Sequence, residues 1–205
     1  MNRSERRREP GRKSTPNSRR TTIVYGSLAV LAIIVIGAIA IASRTPNNAA
    51  SDAPIYAALP VGQAAPAFSA ATTQGPVNVP VADHKPVLLE VFATWCPHCQ
   101  HEVSVLNPLF HKYGDKVHFV AVSGSPYAGD EHSPSSQLDV INFAQKFKVA
   151  YPIAYDPDMT VAHKYLQGGY PTIVVIDRAG KIAAVRDGEI PQSAIQADLD
   201  KALKS

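Results

Sequence analysis

Val87-Leu88-Leu89-Glu90-Val91-Phe92-Ala93-Thr94-Trp95-Cys96-Pro97-His98-Cys99 passes from an apolar run straight into a segment opened by proline. The run Val87 to Ala93 is short, apolar and rich in strand-forming residues, which predicts a buried β-strand. From Pro97 to Tyr113 the apolar residues recur at helical spacing, and proline suits a first helical turn. Cys96 and Cys99 are the only cysteines in 205 residues, and they stand at this strand-to-helix junction. A helix N-terminus carries partial positive charge and free N–H groups, so a thiolate at Cys96 is favoured there; Cys99, one turn in, is expected to be more buried. That asymmetry assigns attack to Cys96 and resolution of the resulting mixed disulfide to Cys99, with two electrons moved per cycle and no cofactor beyond the pair. A purely structural disulfide across so short a loop would restrain little of the unfolded chain. A zinc or copper site built from Cys96, His98, Cys99 and His101 lacks a second cysteine pair, and no metal is expected.

Beyond this unit the alternation continues. Val117 to Val122 reads as a strand, Ser123 to Pro134 as a loop, and Ser136 to Phe147 as a helix. Tyr151 to Tyr155 is a short strand, Asp158 to Leu166 a helix, and Thr172 to Ile176 a strand. Ile182 to Val185 is its antiparallel partner across the turn Arg178 to Lys181, and Pro191 to Leu203 closes the chain as a helix. The pattern predicts an α/β fold: a mixed central sheet covered by helices on both faces.

The N-terminal part obeys different rules. Residues 1–22 carry eight basic and two acidic side chains, a net charge of +6, while the remaining twelve basic and fifteen acidic residues give −3. Residues 23–42 are apolar and uncharged, about the length a helix needs to cross a bilayer. With the basic arm before it, the expected topology is a single-pass cell-membrane protein, N-terminus cytoplasmic and C-terminal domain outside the cytoplasm. The small-x-small patterns ending at Ala40 and Ala42 offer cleavage sites, but the apolar run exceeds an ordinary signal-peptide core, which favours a retained anchor. Residues 43–60 have linker composition, and 61–205 hold the folded domain. The basic arm is assigned to topology, and no nucleic acid is expected as a partner.

The stretch Phe92 to Cys99 resembles the thioredoxin active site, and Gly169-Tyr170-Pro171-Thr172 resembles its cis-proline loop. Val61 to Phe68 and Ile176 to Ile182 resemble the opening and the hairpin of membrane-tethered TlpA/ResA-type members, so the likeness runs from about Val61 to Leu203. The resemblance implies a thioredoxin-like fold and thiol:disulfide oxidoreductase activity through a redox-active Cys96–Cys99 disulfide. It implies that Pro171 is cis and lies against the pair, with Tyr170 and Thr172 lining a substrate groove. It further implies that Trp95 packs beside the motif, that Glu90, six before Cys96, helps move the resolving cysteine's proton, and that Glu102, three after Cys99, is an acid near the site.

The direction of exchange is left open by two opposed features. Pro97-His98 is the dipeptide of DsbA-type oxidants, whereas the 75 positions between Cys96 and Pro171 leave no room for the helical insertion of such oxidants. The expected partners are exported thiol or disulfide proteins, apocytochrome c among them, and a membrane redox protein that recycles the pair. A thioredoxin-fold peroxidase is the alternative enzyme, but its Pro and Thr/Ser positions are occupied by Leu89 and Ala93. A Sco-like copper-binding module, with His163 as the distant ligand, would need a wider cysteine spacing.

Overall fold

The computed structural model describes residues 59–205. The expected arm 1–22, the apolar segment 23–42 and nearly all of the linker 43–60 lie outside the described residues. Among the described residues, no helix is long and apolar enough to cross a membrane.

In chain order the elements are β1 (Phe68–Thr72), β2 (Gly75–Val79), β3 (Val87–Phe92), α1 (Pro97–Tyr113), β4 (His118–Ser123), α2 (Gln137–Phe147), β5 (Ile153–Ala154), α3 (Ala162–Tyr165), β6 (Thr172–Ile176), β7 (Ile182–Asp187) and α4 (Gln192–Ala202). The strands form one mixed sheet in the order β2-β1-β5-β4-β3-β6-β7. β3 runs parallel to β4 and antiparallel to β6, and all six of its residues are buried.

Alternation along β3 divides the core. Leu88 and Phe92 pack with Val103, Leu106 and Leu109 of α1, Phe143 of α2, and Ile195 and Leu199 of α4. Val87, Leu89 and Val91 point the other way, toward Phe68, Val120, Val174, Tyr165 and Ile182. Each large apolar side chain buried in this way stabilises the fold by about 1.5–3 kcal/mol. Period two also puts Glu90 on the α1 face, where an ionised carboxylate is costly. The placement of this acid is the first sign that the core serves something besides stability.

Two expectations are corrected. The helix expected over Asp158 to Leu166 is only Ala162–Tyr165. The buried Asp156 carboxylate accepts from the backbone N–H groups of Thr160, Val161 and Ala162, at 2.9, 2.8 and 3.2 Å, and this side-chain turn takes the place of the first helical turn. Met159 within it has φ of 52°, a left-handed conformation incompatible with helix. The second correction is the β1–β2 hairpin, paired from Phe68 opposite Val79 to Thr72 opposite Gly75, where no strand is expected. Its Phe68, Val77 and Val79 are interrupted by Ser, Ala, Gly, Pro and Asn, so no apolar run or regular alternation marks it, and only Phe68 and Val79 are buried.

Candidate active site

Cys96 is the N-cap of α1, with Pro97 opening the first turn. Its side chain makes no capping hydrogen bond, so the sulfur is left for other partners. It lies 3.6 Å from the carbonyl oxygen of Tyr170, to which the S–H donates. The Tyr170–Pro171 peptide is cis, so the expected apposition of cysteine pair and proline loop is present. Both cysteines are free thiols, Cys96 being 5% exposed and Cys99 0%. The small exposure of Cys96 makes it the more accessible of the two sulfurs.

Behind the pair lies a buried cluster of acids. Glu90 on β3 is 2% exposed and accepts a hydrogen bond from the Tyr151 hydroxyl at 3.1 Å. Burial pushes its carboxyl up to about 8, the Glu102 charge adds to the effect, and the Tyr151 hydrogen bond opposes it. Glu102, on the buried face of α1, has both carboxyl oxygens enclosed without a hydrogen-bond partner. Its carboxyl is pushed up to about 7, first by burial; the Ile190 backbone, outside strict hydrogen-bond geometry, opposes the shift and Glu189 adds to it. Cys99 is raised well above the ordinary thiol range, chiefly by burial and then by the Glu90 charge. Cys99 therefore holds its proton in the resting site, and its ionisation would require a base.

The rim is ordered by side chains from four segments. Trp95 meets Tyr170 edge-on, ring centroids 5.8 Å apart, and its indole N–H donates to Ser125 Oγ at 2.8 Å. The Tyr170 hydroxyl donates to the Gly124 carbonyl. Residue 124 has to be glycine, because a Cβ there would stand 2.4 Å from Val91 Cγ1. Pro97 and His98 are exposed, and His98 Nδ1 is 2.7 Å from Glu189 Oε1. His101 is on the surface.

Thr172 departs from the expectation of a groove residue, for it is 0% exposed. Its hydroxyl accepts from the Gln167 N–H at 3.0 Å and faces the carbonyls of Gln167 and Gly169, both at 2.8 Å. It clamps the turn before Pro171 from within. Thr172→Val removes this clamp at constant shape and is expected to cost about 1–3 kcal/mol of stability by denaturant unfolding. A change below about 0.5 kcal/mol, the ordinary scale of surface substitutions, would remove the clamp from the account.

Three contributors went unnoticed in the sequence. Tyr151 and Ser125 carry no motif and reach the site only by folding. Glu189 stands 91 positions from His98. His163 is exposed on α3, and among the described residues no group of three His, Cys, Asp or Glu side chains could hold a metal ion.

The arrangement of a cysteine pair at a helix N-terminus, a cis-proline beside it and acids beneath it agrees with the sequence comparisons. The Redoxin family profile matches residues 60–203. The chain belongs to the Redoxin family. This Redoxin protein is similar to the thiol-disulfide oxidoreductase ResA of Bacillus cereus, with 28% identity over 143 residues covering 69% of this chain and 78% of ResA. It is similar to the thioredoxin-like protein YneN of Bacillus subtilis, 31% identical over 140 residues that cover 68% and 78% of the two chains. Among solved structures it is similar to a Chlorobium tepidum protein described as a candidate thiol:disulfide interchange protein DsbE, with 26% identity and a TM-score of 0.61 over 71% of this chain and 99% of that one. The Redoxin domain is thus a thioredoxin-like α/β fold, and the chain is an oxidoreductase of the thiol-disulfide type.

Proposed function

We propose that this Redoxin protein reduces disulfides in exported proteins, held at the outer face of the cell membrane by residues 23–42. The observation that carries the reductive direction is the pair of buried carboxylates, Glu90 and Glu102, placed behind the cysteines. Burial disfavours the Cys99 thiolate and each carboxylate that forms behind it disfavours it further, and a pair whose buried thiolate is not stabilised keeps its disulfide form and gives up electrons readily.

The Cys96 thiolate attacks one sulfur of the substrate disulfide, the substrate S–S bond breaks, and the leaving sulfur takes up a proton. The Tyr170 carbonyl beside Cys96 marks where the substrate backbone would lie. Cys99 then loses its proton to the ionised form of Glu90 and attacks Cys96; the Cys96–substrate S–S bond breaks as the Cys96–Cys99 disulfide closes, and the second substrate sulfur takes up a proton as it leaves, so the substrate departs as a dithiol, reduced by two electrons. A membrane dithiol protein returns the pair to the reduced state, and no cofactor beyond the pair is required. Apocytochrome c belongs to the substrate class implied by the resemblance to ResA-type proteins.

Equilibration with glutathione tests the direction. The expected potential lies at or below that of thioredoxin, about −270 mV, and a value near the oxidant limit of about −120 mV would reverse it. A reporter enzyme fused after Ser205 is expected to be active only outside the cytoplasm, and cytoplasmic activity would overturn the topology.

A further inference from the structure

The buried acid of β3 is held by a residue that belongs to no motif of the chain. The Tyr151 hydroxyl donates to Glu90 Oε2 at 3.1 Å, and both residues are 2% exposed. The segment that carries Tyr151 is fixed on either side. Asn107 of α1 clips the residues before it, with Nδ2 donating to the Lys148 carbonyl at 3.0 Å and Oδ1 accepting from the Ala150 N–H at 2.9 Å. After it, the Pro152 carbonyl accepts from the Ala121 N–H of β4 at 2.9 Å. The Tyr151 ring packs against Phe110 and Phe119, centroids 6.3 and 6.5 Å away. Backbone and ring together therefore set the hydroxyl beside the carboxyl. Glu90 in turn stands between Leu88 and Phe92 on one face of β3, and those two side chains share a core cluster with Cys96 and Cys99.

We propose that Tyr151 is a positioning residue of the resolving step, its hydroxyl holding the Glu90 carboxylate in place as the acceptor of the Cys99 proton. This rests on the exchange reaction proposed above, in which Glu90 is that base. A donated hydrogen bond favours the ionised carboxylate over the neutral acid. The other groups around Glu90 do not. Burial opposes its ionisation, and Glu102 and Cys99 of α1 oppose it further when they are charged. Across the sheet Glu90 pairs with Ala121 of β4 and Ile173 of β6, while α2 and α4 bring Val140, Phe143, Ile195 and Leu199 to this core, none of them charged. Tyr151 keeps its own proton, since burial and then the Glu90 charge raise the hydroxyl well above the ordinary tyrosine range. It is therefore a donor throughout the pH range of the reaction.

Tyr151→Phe keeps the ring and removes the donor. The experiment follows the Glu90 carboxyl by carboxyl-carbon NMR across pH on the reduced protein, and resolution of a preformed mixed disulfide over the same range, for wild type, Tyr151→Phe, Glu90→Gln and the double variant. Loss of a hydrogen bond to a charged group is expected to strengthen proton binding at Glu90 by about tenfold or more. Resolution in Tyr151→Phe is then expected to be about tenfold slower at pH 7 and to recover as pH rises through the displaced Glu90 titration. In the Glu90→Gln background the same substitution is expected to change the rate by less than about twofold, because the group it acts through is gone. A merely structural role would lower the rate alike at every pH and in both backgrounds. An unmoved Glu90 titration in Tyr151→Phe, or an equal loss of rate in the Glu90→Gln background, would overturn the role of Tyr151. The carboxyl titration needs no turnover, so a wild type that fails to exchange with a model disulfide would defeat the proposed reaction, while an unmoved titration would defeat only the hold of Tyr151 on Glu90.

Discussion

Cys99→Ser is expected to accumulate mixed disulfides between Cys96 and exported proteins, while Cys96→Ser accumulates none. Both sulfurs are in the core, but only Cys96 retains exposure, at 5%, and only Cys96 faces the Tyr170 carbonyl. A partner thus meets Cys96 first. The resolving step is intramolecular, and well-oriented groups of this kind reach effective molarities of about 10⁵–10⁸ M. Without Cys99, release depends on external thiols at millimolar concentration, so the lifetime of the mixed species should lengthen by at least about a thousandfold. Non-reducing electrophoresis of membranes from cells expressing each variant, with mass spectrometry of the trapped bands, gives the answer. Equal trapping by both variants would remove the division of labour between the two sulfurs.

What could be read from the chain follows from how local each signal is. β3, α1 and the junction between them are legible because a continuous apolar run, a helical period and a proline at the first turn all fall within Val87 to Tyr113. The capping box of Ser136 and Asp139 likewise announces α2. The β1–β2 hairpin is illegible for the converse reason, since Ser, Ala, Gly, Pro and Asn break up its Phe and Val residues and leave neither an apolar run nor a regular alternation. Asp158 to Leu166 has helical composition, and the carboxylate of Asp156 overrides it. In the site, Cys96, Cys99 and Pro171 lie in recognisable motifs, and Glu90 and Glu102 stand at countable distances from the cysteines. Tyr151 and Glu189 had no such marker, because each is brought in from 61 and 91 positions away by the fold alone. Thr172 belongs to a motif, yet the motif does not say that its side chain turns inward.

Glu90→Gln is expected to stabilise the reduced protein and slow its chemistry at the same time. Gln matches the neutral acid in shape and still accepts the Tyr151 hydrogen bond, so the substitution removes only the possibility of charge and of proton transfer. Glu90 is an acid whose pKa is raised on folding, from 4.5 to about 8. Below the unfolded value the carboxyl is protonated in both states and costs nothing. As pH rises the unfolded chain ionises while the folded one does not, and stability is lost until the folded group also ionises near 8. At pH 7 the cost is about 3 kcal/mol, so the advantage of Glu90→Gln should grow from nearly zero at pH 4.5 to about that size. Glu102, raised to about 7, leaves a residual slope in both proteins, which makes the difference between them the quantity to measure. For the chemistry two effects compete. Loss of the Glu90 charge eases ionisation of Cys99, but burial is the larger cause of its raised pKa and is untouched by the substitution. A positioned general base contributes about 10²–10⁴-fold, so its loss should prevail and resolution of a preformed mixed disulfide should slow by about a hundredfold. Guanidinium unfolding from pH 5 to 8 under reducing conditions, beside stopped-flow resolution kinetics, measures both effects. Parallel stability profiles for the two proteins, or an undiminished resolution rate, would mean that Glu90 does not hold the proton that Cys99 must lose.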